Sequence, residues 1–100
     1  MKTQLWDIPR IIRVQPAEAP LPPNAIVIVR EAEGTTVVES VADHAPTIGE
    51  TQWAQITLWG SADADWPSPT PGVAAALAAA GVPCRRVAAA HHEHLFVPWA

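Results

Sequence analysis

The chain predicts an α+β domain of the ferredoxin-like kind, an antiparallel sheet with one main helix, and three observations carry that expectation. Residues 52–99 read in the order strand, loop, helix, strand, strand, which is the opening of a βαββαβ unit. A length of 100 residues, 49% hydrophobic and 16% charged, fits one domain with a core and carries too little charge to stay disordered. Alanine dominates the apolar share and proline occurs eleven times. Small residues and frequent prolines favour short, closely approaching elements over a helical bundle or coiled coil.

Taken in order, the first strand is broken. Leu5-Trp6-Asp7-Ile8 and Ile11-Ile12-Arg13-Val14 flank Pro9, which cannot donate to a ladder and marks an edge or a bend. Residues 15–23 hold Pro16, Pro20, Pro22 and Pro23 and read as an extended connection. Ala25-Ile26-Val27-Ile28-Val29-Arg30 is β-branched and apolar on both faces, the pattern of a central strand. A reversal at Glu33-Gly34 leads into residues 35–41 and makes a hairpin. Residues 52–59 alternate with period two, so Trp53 and Gln55 share a face opposite Ala54, Ile56 and Leu58. After the loop 60–69, Thr70-Pro71-Gly72 carries helix-start chemistry: a hydroxyl for the cap, and a proline where its missing N–H costs nothing. Val73, Leu77 and Ala80 then recur at helical spacing, and Gly81 suits the position just past the helix end. Residues 82–90 and 95–99 are two further strands joined by His91-His92-Glu93-His94, with a right-handed crossover from Trp59 to Val87 through the helix. Five tryptophans in a chain with one Phe and no Tyr fill the core volume that alanines leave, Trp99 near the C-terminus being placed to touch a partner subunit.

Asp plus Glu outnumber Lys plus Arg by 10 to 6, and Arg85-Arg86 is the only adjacent cationic pair, which tells against a nucleic-acid partner. The single Cys84 cannot form an internal disulfide, no cationic start and apolar run resembles a secretion signal, and the longest apolar stretch, 73–80, is too short for a bilayer. The expected setting is cytoplasmic, away from membranes.

Four phrases in order, Arg30-Glu31-Ala32-Glu33-Gly34-Thr35-Thr36, Gln55-Ile56-Thr57-Leu58, Ala79-Ala80-Gly81-Val82-Pro83-Cys84 and His92-Glu93-His94-Leu95-Phe96-Val97-Pro98, resemble the small stand-alone ACT-domain-like proteins of bacteria. A phrase of the type A-G-I-x-C-x-V-x-A-x-x-H-D-H-L-F-V-P closes the core there. The resemblance spans residues 25–99 and makes residues 1–100 one ACT-like domain, with 1–24 as an N-terminal strand and Pro-rich connection. It implies an ACT-type ferredoxin-like fold, a homodimer or higher oligomer, and a regulatory site for an amino acid or related metabolite, seated where the first strand hands over to the first helix. In this chain that region is residues 60–72. The chain departs from the pattern in a longer, Pro-rich loop, in Glu93 where an aspartate is common, and in stopping before a C-terminal helix.

The residues give that loop independent merit. A first helical turn presents free N–H groups to an anion, so Gly72 and Val73 would cradle a carboxylate behind Thr70. Asp63 and Asp65, following Gly60, would meet the ammonium end, and Trp66 would cover the aliphatic part. The same aspartates also read as solvated loop residues, and Thr70 as a simple cap. His92 and His94 would share a face of a strand with His91 opposite, offering two nitrogens to a metal, short of the four a structural zinc site takes. No metal and no cofactor is therefore expected, and a polar turn accounts for the same histidines. Cys84 sits in an apolar context that raises its pKa, and no Gly-x-Ser-x-Gly elbow or phosphate-binding Gly-rich loop with Lys occurs. The expectation is a binding or regulatory module and not an enzyme. The alternatives are a histidine-based metal-binding module and a purely structural interaction domain.

Overall fold

The structure, a computed structural model, describes residues 2–42, 45–59 and 70–99. Among these residues it shows seven strands and one helix: β1 Lys2–Leu5, β2 Arg10–Gln15, β3 Val27–Glu31, β4 Gly34–Ser40, β5 Gln52–Trp59, α1 Thr70–Ala79, β6 Arg85–Ala88 and β7 Glu93–Pro98. The chain divides into two compact units. One comprises residues 1–7 and 54–100, the other Ile8–Trp53, so β5 gives its first two residues to the second unit and the rest to the first.

In the unit Ile8–Trp53, β4 lies between β3 and β2, antiparallel to both. The β3–β4 hairpin turns at Ala32-Glu33 into Gly34, whose φ is +155°. A Cβ there would stand 2.8 Å from the Gln15 carbonyl oxygen, so only glycine lets the hairpin tip lie this close to the end of β2. Val37 and Val38 are adjacent, point to opposite faces and are both buried, as is Ile11 of β2. At the other end of β2, Arg10 and Ile11 pair with Trp53 and Gln52.

In the other unit β5 is flanked by β1 and β7, with β6 antiparallel to β7. Its buried apolar residues are Leu58, Leu95 and Phe96. The helix α1 ends in a glycine cap: Gly81, at φ +73°, donates to the Ala78 carbonyl, and Val82 donates back to Leu77.

The ferredoxin-like, ACT-type α+β expectation is overturned. Among the described residues a mainly antiparallel set of seven strands with one ten-residue helix stands in its place. The β–α–β–β order in residues 52–99 dominated the sequence reading, whereas three strands upstream, β2, β3 and β4, pair antiparallel with one another and β1 adds antiparallel to β5. The central-strand pattern at 25–30 is corrected in the same way. β3 pairs only with β4 and leaves Ile26, Ile28 and Val29 exposed, and β4 holds the middle position with both faces buried. Nor do the tryptophans form the core. Trp6, Trp53 and Trp59 are half-buried, Trp99 is 38% exposed, and Trp66 lies outside the described residues. On α1 the stripe shortens to half-buried Val73, Ala74 and Leu77, while Ala80 is exposed. His94 is a residue of β7, leaving only His91 and His92 in the turn before it.

Candidate functional site

Three places carry chemistry. The helix-start site predicted at Gly60, Asp63, Asp65, Thr70, Gly72 and Val73 is the first. Gly60, Asp63 and Asp65 lie outside the described residues. Thr70 begins α1 as expected, Gly72 is exposed and Val73 half-buried.

The second is the histidine segment. His94 is drawn into β7 next to β5, where Gln55 and Thr57 are 4% and 1% exposed. The indole Nε1–H of Trp6, which can only donate, gives its proton to Thr57 Oγ1 at 2.7 Å, and Gln55 Nε2 donates to the same oxygen at 3.4 Å. With those acceptor positions taken, the threonine hydroxyl donates its own proton to His94 Nδ1 at 3.0 Å, where Gln55 Nε2 also donates at 3.3 Å. The network therefore fixes His94 as the neutral tautomer with its proton on Nε2. Burial pushes the His94 pKa down, and the neighbouring His92 charge adds to that. His92 packs its ring against Trp59 at 4.0 Å and holds a buried Nδ1 without a hydrogen-bond partner in the described structure. The rings of His92 and His94 stand 6.3 Å apart in an edge-on arrangement. Among the described residues no three His, Cys, Asp or Glu side chains come together as a metal site would need. His92 and His94 instead contact β5, through Trp59 and through Gln55 and Thr57.

The third place was invisible in the sequence. One face of β2 and β4 carries Arg13, Gln15, Val37 and Glu39, with Arg13 opposite Val37 and Ile11 opposite Glu39. The connection after β2 passes over this face. It is shaped by turns in which Ala19 donates to Pro16 and Ala25 to Pro22, and it is tied down by Gln15 Nε2 donating to the carbonyls of Ala19 and Pro20. A cavity of about 340 Å³ remains, lined by Arg13, Val14, Gln15, Pro22, Pro23, Asn24, Val37 and Glu39. Arg13 lines the cavity with its guanidinium already engaged. Its Nε and Nη2 donate to the two carboxylate oxygens of Glu50 at 2.8 and 2.7 Å, and Nη2 also reaches the Ala45 carbonyl. This two-pronged grip holds the Glu50 carboxyl down at about 2 and raises the Arg13 pKa. Glu39 is left with one longer contact, 3.6 Å to Arg13 Nη1. Sequence reading passed over this set because Arg13 and Glu50 are 37 positions apart. The one local signal was a carboxylate at an inward position of a strand, Glu39 two residues after Val37.

No family model matches the chain, and no curated protein matches it significantly. Among solved structures it is similar to a Vibrio cholerae protein of unknown function, described as a possible transport protein. The TM-score is 0.72 at 22% identity, over 96% of this chain and 77% of that one. At that identity the likeness shows a shared fold and nothing more. No helix among the described residues is long and apolar enough to cross a membrane.

Proposed function

We propose that this chain is a small-molecule-binding, regulatory module that works as a homo-oligomer in the cytoplasm and does not catalyse a reaction. The observation that carries this reading is the cavity on the β2–β4 face. Its volume of about 340 Å³ lies at the small end of the range for ligand pockets and suits a molecule of amino-acid size, and its lining divides between apolar Val14, Pro22, Pro23 and Val37 and polar Arg13, Gln15, Asn24 and Glu39. A binding role is also supported by Cys84, whose thiol burial pushes up and away from nucleophilic use. Self-association is supported by β3, an edge strand whose Ile28 and Val29, on opposite faces, are 41% and 43% exposed, with no proline or lysine within Val27–Glu31 to blunt the edge.

A thermal-shift screen of amino acids and small metabolites tests the binding half, because a ligand present at 100 times its Kd adds about 2.7 kcal/mol to the folded state. Absence of any stabilising compound would sink it. Sedimentation tests the other half: association that Ile28→Lys abolishes is expected, and a wild-type chain that stays monomeric at high micromolar concentration removes that part.

A further inference from the structure

We infer that the β2–β4 cavity is a site for a small aliphatic ammonium compound, with Glu39 as the group that grips the cation. The inference rests on the binding reading above and adds the charge of the ligand. Among the described residues three ionisable side chains meet on this face, Arg13, Glu39 and Glu50, one formal positive charge against two negative. Their geometry says where the excess negative charge resides. Glu50 takes both prongs of the guanidinium at 2.7 and 2.8 Å, the distances of strong charge-assisted bonds. Glu39, at 3.6 Å from Nη1, is beyond hydrogen-bond reach of it. Its carboxylate makes no hydrogen bond to any described residue, yet the residue is only 6% exposed and lines the cavity.

A carboxylate this enclosed, without a hydrogen-bond donor from the described residues, keeps its acceptor positions open toward the cavity. An ammonium group in the cavity supplies up to three N–H donors and the opposite charge. One further polar group of the lining, Gln15, agrees. Gln15 spends its amide N–H groups on the Ala19 and Pro20 carbonyls, so its Oε1 is what it has left to offer, an acceptor. A carboxylate or phosphate ligand would find the guanidinium already matched and Glu39 opposed to it. Beyond the charged end, Val37, Pro22 and Pro23 form an apolar wall suited to a short methylene chain.

Three probes of nearly equal size and different charge test this by amide NMR on the full chain: n-butylammonium, n-butanol and n-butyrate, at matched ionic strength. Saturable shifts at Val14, Asn24 and Val37 are expected with n-butylammonium, with n-butanol at least tenfold weaker and n-butyrate silent. Glu39→Gln, close to isosteric, is expected to bring n-butylammonium down to the affinity of n-butanol. The ranking of the three probes on the wild-type chain decides the matter even where the variant fails to fold. If n-butanol or n-butyrate shifts those amides as strongly as n-butylammonium, the cavity is a binding site and the charge assignment is wrong. If none of the three shifts them, the cavity assignment falls with it, while the thermal-shift screen still judges a binding function elsewhere. Shifts by n-butylammonium that survive Glu39→Gln unchanged also overturn the proposal.

Discussion

Around Thr57 a single hydroxyl accepts from Trp6 and Gln55 and donates to His94, so its proton and both acceptor positions are taken. Around Glu39, in the unit Ile8–Trp53, a carboxylate buried to a similar degree has one ion pair at 3.6 Å and no hydrogen bond. The first arrangement fixes a tautomer and locks one strand pairing. The second leaves an acceptor facing a cavity. Burying polar groups serves rigidity where donors and acceptors match, and recognition where one side of the match is withheld.

The largest effect that would break this contrast is expected from Thr57→Val, which keeps the shape and removes the hydroxyl. Trp6 Nε1 loses its acceptor and His94 Nδ1 its best donor, and the fold should lose about 2–3 kcal/mol in urea unfolding. Thr57→Ser retains the hydroxyl and should lose under about 1 kcal/mol by comparison, mostly from the missing methyl. A loss as small in the valine variant would mean that the matched network adds no stability. Next comes Gly34→Ala, where the new methyl meets the Gln15 carbonyl at 2.8 Å. Roughly 2 kcal/mol of destabilisation is expected, with the register at the β2 end disturbed in amide exchange.

Smaller effects separate the two regions by pH. Glu50, held near 2 against an ordinary 4.5, stabilises the fold above its unfolded value, and that stability is lost as pH falls from about 4.5 toward 2. Glu50→Gln should therefore cost roughly 1 kcal/mol at pH 6 and converge on wild type near pH 2 in thermal unfolding. His94 titrates elsewhere. Its folded pKa lies below the ordinary 6.5, so the unfolded chain binds the proton first and stability declines as pH falls below about 6.5. His94→Gln should flatten the slope that sets in below about pH 6.5 and leave the loss that depends on Glu50 in place. One merged acid transition that both variants alter equally would erase the distinction between the regions.

What could be read in the residues was local. The β3–β4 hairpin, the β5 alternation from Gln52 to Trp59 and the helix beginning at Thr70 with its Gly81 stop all form where the pattern puts them, because turn chemistry, side-chain period and caps act over a few positions. What escaped was set by distance along the chain. Whether 25–30 is a centre or an edge depends on which strand comes to lie beside it, and β4 took β2 as its second neighbour. The cavity needs Arg13 and Glu39 on paired strands and a Pro-rich connection tied across them by Gln15, and no single stretch announces that. The histidines were legible as a cluster, but their role was not, since the threonine that claims His94 lies 37 positions upstream.

The bond from Trp6 to Thr57 joins residues 51 apart. Closing a flexible loop of that length costs roughly 3 kcal/mol of chain entropy. The intervening segment does not stay flexible, because Arg10 and Ile11, near its start, pair with Trp53 and Gln52 at its end. Once residues 8–53 have folded, the chain on either side emerges from neighbouring points, and β1 meets β5 across what has become a short link. The Trp6–Thr57 bond therefore closes a short link and not a loop of fifty residues, and its entropic cost shrinks accordingly.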